Sequence, residues 1–134
     1  MPPLRRALAL LAVFACLVFA GNAQAQERIV NFDSEIWVHP DSTMTVRETI
    51  TVIAEGRSIK RGIYRDFPTT YKDRYNNTVV VGFDVVSVLR NGQSEPHHSE
   101  RISNGIRLYI GDKDVRVPKG QHVYTIEYRT KGIV

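Results

Sequence analysis

The sequence predicts an all-β protein, an antiparallel β-sandwich of the immunoglobulin or fibronectin type. Three observations carry this. From Glu27 onward no apolar stripe recurs at i, i+3, i+4, i+7 over a helical length, whereas apolar and polar residues alternate repeatedly. The dipeptides Asn91-Gly92 and Asn104-Gly105 supply the positive φ values that two-residue hairpin turns demand. The alternating runs recur at the spacing of short strands with two inward faces, as in a sandwich.

The first segment, residues 1–25, reads as an address. Arg5 and Arg6 precede an uncharged apolar run from Ala7 to Ala20, and Ala23 and Ala25 place small residues three and one before a cut. This is the three-part pattern of a secretory signal peptide cleaved between Ala25 and Gln26. The apolar run is shorter than the ~20 residues that cross about 30 Å of hydrocarbon, so removal is expected rather than a permanent span. Cys16 lies inside that run and belongs to it. The second segment, 26–134, is then a single exported domain without cysteine, which excludes a disulfide framework and a thiolate metal cluster. A composition of 43% hydrophobic and 24% charged residues excludes collagen-like and disordered chains. Of 18 basic residues two leave with the leader, so 16 remain against 14 acids. A net charge of +2 gives nucleic-acid binding no support, and no recognition motif is present.

Within the domain the strands are read in order. Val30, Phe32, Ile36 and Val38 share one face, ended by the turn residues His39-Pro40-Asp41. From Thr43 to Ala54, the residues Met44, Val46, Ile50, Val52 and Ala54 share a face that only Glu48 breaks, so these two runs should form a hairpin. Trp37 falls out of phase and points to the outer face, where it is expected to lie under the Tyr64–Tyr75 excursion. Thr78–Arg90 is apolar on both faces in places, which predicts a central core strand or a bulge near Gly82. Ile106, Leu108 and Ile110 share the next face, and Tyr124, Ile126 and Tyr128 the last. The Asn-Gly turns should join three strands into a meander, and a short crossover between Gly111-Asp112-Lys113-Asp114 and Pro118-Lys119-Gly120 leads into the last strand. Pro118-x-Gly120-x-x-x-Tyr124 predicts a corner pinned by a tyrosine hydroxyl. No return strand is visible after Lys131, so the domain is expected to be truncated at its C-terminus, lacking its closing strand and less stable than a complete sandwich.

The densest chemistry lies in residues 55–77. If Arg61-Gly62-Ile63-Tyr64-Arg65-Asp66-Phe67-Pro68 is extended, Arg61 and Arg65 face one way and Tyr64 and Asp66 the other. Two guanidiniums on one side can grip a carboxylate or phosphate. The competing reading is that the arginines cover a sheet edge and pair with Asp66 or Asp73. Arg61, Tyr64, Arg65, Asp66 and Trp37 are therefore the candidate ligand or partner contacts. His97-His98 reads as a solvated hairpin tip, because adjacent histidines on a strand point to opposite faces and do not chelate one ion easily. Ser42, Ser58 and Ser99 sit in no nucleophile motif. The sequence therefore presents no catalytic residues, no metal site and no cofactor site.

Taken together, the export signal, the Arg61–Pro68 run, Ile110-Gly111-Asp112-Lys113-Asp114 and Pro118-x-Gly120-x-x-x-Tyr124-x-x-x-Tyr128-Arg129 resemble the extracytoplasmic N-terminal domain of the YciQ-like predicted membrane proteins, the DUF2207 domain. The resemblance spans essentially residues 26–134. It implies a membrane-anchored protein whose anchor lies beyond this chain, with the domain on the periplasmic or extracytoplasmic side, and it supplies no activity. The expected function is non-enzymatic binding or sensing of a protein or envelope component. The alternative is an envelope-polymer or carbohydrate-active protein whose catalytic residues lie beyond Val134.

Overall fold

The computed structural model describes residues 27–131; the leader, the Ala25–Gln26 cleavage point and Cys16 lie outside the described residues. The chain forms strands β1 (Arg28–Val38), β2 (Thr43–Ala54), β3 (Gly62–Pro68), β4 (Thr70–Lys72), β5 (Thr78–Val80), β6 (Gly82–Arg90), β7 (Gln93–Ser94), β8 (His97–Ile102), β9 (Gly105–Gly111) and β10 (Gly120–Lys131). The described residues form no helix, and all pairings are antiparallel. One sheet has the order β1-β2-β10-β6-β7, a second has β3-β9-β8, and β4 and β5 form a separate hairpin.

The two larger sheets stack face to face. Ile50, Val52, Val88, Tyr124 and Ile126 of the first meet Phe67, Leu108 and Ile110 of the second in one buried cluster. The center is β2 against β10, two 12-residue strands paired from Gly120↔Ala54 to Lys131↔Thr43. Alternation explains why these strands carry the core: every second residue points inward, and the buried ones are apolar apart from Glu48 and His122.

The β1–β2 hairpin forms as expected. Its turn closes with His39 N–H donating to the Thr43 carbonyl at 2.8 Å. The Asp41 carboxylate accepts from the Thr43 amide (3.1 Å) and hydroxyl (2.6 Å). The fate of the β1 apolar face differs from expectation. A bulge at Val30 brings Ile29 into phase with Phe32, Ile36 and Val38, opposite Val52, Ile50, Val46 and Met44. All eleven residues of β1 are nevertheless exposed, because no strand of the three-stranded second sheet extends over them and only the Arg65 side chain reaches across, to Phe32.

Three further expectations are corrected. Thr78–Arg90 is not one central strand: it breaks at Val81, its first part pairs with β4, and only Val88 of β6 is buried. A bulge at Val86 accounts for the doubled apolar face. The Asn91-Gly92 turn forms with φ of 52° and 80°, but the second turn is Ser103-Asn104, with Gly105 already in β9. Glycine is required at 105 for close approach, since a Cβ there would lie 2.0 Å from the Phe67 carbonyl oxygen. The β6–β7 and β8–β9 hairpins belong to different sheets, joined through Glu95-Pro96, so there is no meander.

A fourth correction concerns the corner before β10. The Tyr124 hydroxyl is buried without a hydrogen-bond partner, and burial, with the nearby Glu95 carboxylate, pushes the phenol up to about 12. The corner is pinned instead by His122. Its Nε2 lies 2.6 Å from the Pro118 carbonyl oxygen and its Nδ1 3.1 Å from Asn91 Nδ2. A neutral imidazole donating from Nε2 and accepting at Nδ1 satisfies both.

The start of β1 is latched by Glu27. Its carboxylate accepts backbone N–H bonds from Glu55 (3.1 Å), Arg57 (2.6 Å), Ser58 (2.6 Å) and Ile59 (3.2 Å), around a turn where Gly56 adopts φ 74°. Desolvation raises the Glu27 carboxyl, but the four donors outweigh it and bring the pKa from 4.5 to about 2. A depressed pKa contributes stability that is complete above the unfolded value and lost as pH falls toward the folded one. Glu27→Gln therefore lowers the thermal midpoint at pH 7, and the gap between variant and parent narrows between pH 4.5 and pH 2. A constant gap over that range, measured by circular dichroism melts, refutes the latch.

Candidate functional site

β3 sets the geometry, because its alternate residues serve two different purposes. Ile63, Arg65 and Phe67 point toward the first sheet, while Tyr64 and Asp66 point outward. Arg65 places Nε and Nη2 each 3.1 Å from the Glu48 carboxylate oxygens, and Glu48 is 1% exposed. The guanidinium also donates to the Asp66 carbonyl at 2.8 Å and lies over the Phe67 and Phe32 rings at 4.6 and 5.6 Å. Burial, together with the Glu48 carboxylate, raises the neighbouring Tyr128 phenol. Arg65 is thus the partially exposed partner of a buried carboxylate, and the expectation that Arg61 and Arg65 share one gripping face is corrected. Arg61 precedes the strand, and the φ of 150° at Gly62 breaks the alternation between them.

On the outward face, the Arg107 guanidinium pairs with Asp66 at 2.7 and 3.0 Å and lies 4.4 Å over the Tyr64 ring. Hydrogen bonding to Arg107, against partial desolvation, lowers the Asp66 carboxyl. Asp66 pairs with neither Arg61 nor Arg65, so the surface-pairing reading of the arginines is corrected as well. Tyr109 stands beside Tyr64 with ring centroids 6.2 Å apart, and His98 stacks on Tyr109 at 4.9 Å with 15° between planes. These rings border a cleft of about 240 Å³ that Lys60, Arg61 and Lys113 also line. One acid, Asp112, lines it too, its carboxylate turned back to the Asp114 amide at 2.8 Å.

The cleft floor is the pair Gly62↔Gly111. A Cβ at Gly62 would lie 1.8 Å from the Ile110 carbonyl oxygen, and one at Gly111 would lie 2.0 Å from that of Arg61. Both have φ in the region that favours glycine, 150° and 131°. The glycines of the Arg-Gly-Ile-Tyr and Ile-Gly-Asp runs are thus fixed by one crossing of backbones. Among the described residues Lys60, Arg61 and Lys113 form no ion pair, so three cations stand free beside an aromatic surface.

Trp37 lies elsewhere, on the outer face of the first sheet opposite Thr45, with the Arg47 guanidinium 5.3 Å over its ring. At 41% exposure it is not covered by the Tyr64–Tyr75 excursion. That excursion folds on itself, with the Tyr71 hydroxyl donating to the Pro68 carbonyl at 2.8 Å and Thr69 and Thr70 N–H groups donating to Asn104. His97 and His98 lie in β8 rather than at a hairpin tip, which is what lets His98 stack. His98, Arg107 and Tyr109 were not among the sequence candidates. The signal for the last two was there, since Arg107 and Tyr109 alternate with the inward Ile106, Leu108 and Ile110. No serine hydroxyl is hydrogen-bonded to a histidine ring among the described residues, and no group of three metal-ligating side chains occurs there.

Residues 28–134 match the family described as the N-terminal domain of predicted membrane proteins, DUF2207. The chain is 31% identical over 118 residues to "Uncharacterized protein YciQ" of Escherichia coli (strain K12). The match covers 86% of this chain and 19% of that relative, so the chain spans about a fifth of the relative's length. No solved structure matches the chain. Among the described residues no helix is long and apolar enough to cross a membrane.

The Glu48–Arg65 pair generates a stability prediction. Removing one partner leaves a buried charge uncompensated, whereas replacing both with apolar residues of similar volume is close to neutral. Arg65→Met is expected to cost about 3 kcal/mol in denaturant unfolding, and Glu48→Met/Arg65→Met to recover most of it. A double variant no more stable than Arg65→Met would show that the pair is not coupled.

Proposed function

Because this chain belongs to the DUF2207 family of predicted membrane proteins, we propose that it is the extracytoplasmic interaction domain of a membrane-anchored protein, and that the outer cleft of the second sheet binds an anionic envelope polymer. One observation carries the reading: three unpaired cations, Lys60, Arg61 and Lys113, surround a rigid aromatic surface of Tyr64, Tyr109 and His98. Sugar rings stack on such plates, and carboxylates or phosphates between them meet Arg61 and the lysines. Arg107 and Asp66 neutralise each other and hold Tyr64 in place, which leaves the net positive charge to the cleft rim.

Retention of the chain on an immobilised acidic polysaccharide, polygalacturonate, against neutral dextran tests the proposal. The parent is expected to bind only the acidic matrix and to weaken with salt, as exposed charges are screened over about 10 Å at 0.1 M. Arg61→Glu/Lys113→Glu should weaken binding about tenfold or more with an unchanged circular dichroism spectrum, since each rim charge contributes on the order of 1 kcal/mol. Equal retention of parent and variant overturns it.

A further inference from the structure

The two sheets differ in width, and the mismatch falls on one side. Ile29, Phe32, Ile36 and Val38 lie on the core-facing side of β1, beside Val52, Ile50 and Val46 of β2, yet they are 63%, 46%, 59% and 74% exposed. Above them the second sheet ends at β3, whose ladder pairs only with β9 and whose other edge, on the β1 side, pairs with no strand among the described residues. Arg65 marks the boundary: it leaves β3, pairs with Glu48 of β2 and reaches the Phe32 ring of β1. An apolar sheet face beside an open strand edge is the geometry of an unfilled strand position.

We propose that a strand from the longer membrane protein, outside these 134 residues, pairs antiparallel with the open edge of β3 and lays apolar side chains on Ile29, Phe32, Ile36 and Val38. The direction follows from the layers. The Val117 N–H donates to the Lys60 carbonyl at 2.8 Å, so the starts of β10 and β3 lie together, and Phe67 packs on Tyr128 at 4.7 Å, so their later parts do too. β3 and β10 therefore run the same way in facing sheets. A chain leaving β10 arrives at the Pro68 end of β3, and turning back across the layers it runs antiparallel to β3. Seven residues, roughly 23 Å, span that edge, with apolar side chains at alternate positions. The curated relative is about five times the length matched here, which provides chain to supply it.

Other occupants fit less well. Two copies paired through their β1 edges with Ser34 opposite Ser34 would set Asp33 against Glu35 twice, and like charges directly opposite are destabilising. That pairing also widens the first sheet without covering its apolar face. A lipid surface would cover the apolar face but offers no backbone to pair with the open edge of β3. The inference rests on the family membership and not on the ligand of the outer cleft, so either proposal fails without the other.

Thiol labelling reads it out. In a Cys16→Ser background, Ile36→Cys reports the bare face and Glu35→Cys the opposite one. In the 134-residue chain both should react fast with a maleimide. In the intact natural polypeptide in detergent Ile36→Cys should slow by about tenfold or more relative to Glu35→Cys, as a thiol reacts only on local opening. The ratio within the intact protein is itself the readout, so it does not depend on the shorter chain folding alone. Equal rates overturn the proposal. So do protection that appears only at high concentration of the short chain, which indicates a second copy, and protection present in vesicles but lost in detergent, which indicates lipid. A natural polypeptide that ends at Val134 overturns it as well.

Discussion

The ion pair between Glu48 and Arg65 decides more of this structure than its size suggests. A carboxylate in the middle of the most buried strand, 1% exposed, is tolerated only if a cation meets it there. Arg65 does so from the facing sheet, and that commits β3 to one phase. A strand's side chains alternate strictly, so turning Arg65 inward turns Ile63 and Phe67 inward with it and sends Tyr64 and Asp66 out. Slippage by one residue would bury Tyr64 and Asp66 and strand Glu48 without a partner. The surface that carries the outer cleft therefore depends on a contact made beneath it.

The register of β3 against β9 is held by shape rather than charge. Gly62 and Gly111 oppose each other at one end and Gly105 opposes Pro68 at the other, and at each glycine a Cβ would collide with the neighbouring backbone. With both ends fixed, Arg107 falls opposite Asp66 and Tyr109 opposite Tyr64, the placements that build the aromatic surface. Arg61 immediately precedes Gly62 and Lys113 lies two residues beyond Gly111, so the glycine pair brings both basic residues to one end of the cleft.

The sequence made some of this legible and hid the rest for identifiable reasons. The faces of β2, β9 and β10 were readable because inward apolar residues alternate with mostly polar outward ones, broken only by Glu48 in β2 and His122 in β10. β6 was not, because valines on both faces leave alternation nothing to distinguish, and the bulge at Val86 adds one more of them. Gly105 misled because glycine answers two needs, positive φ and close approach, and the dipeptide Asn104-Gly105 looks the same for either. Tyr124 and His122 share a face two residues apart, so parity alone does not say which reaches the Pro118 carbonyl. The most instructive case is Glu48. It stood out as the one interruption in an apolar face and Arg65 as a cation aligned with Ile63 and Phe67, and each anomaly resolves the other. Pairing them takes knowledge of which strands face across the layers, a long-range fact that local pattern does not contain.

β3 also joins the two proposed surfaces. Its outward residues line the cleft, its open edge borders the bare face of β1, and its inward Arg65 lies between them. The β9 ladder, the Glu48 pair and the packing of Phe67 in the core hold this strand, and its other edge is left for an added neighbour. A strand seated along the open edge restrains the same backbone, Gly62 to Pro68, that presents Tyr64 and holds Asp66 toward Arg107. By linkage, whatever is gained in ordering β3 from one side is no longer lost when a ligand orders it from the other, so occupancy of the edge and affinity at the cleft rise together. On the two proposals together, one strand whose two edges are unequally filled would couple the occupant of its open edge to the ligand of the outer cleft.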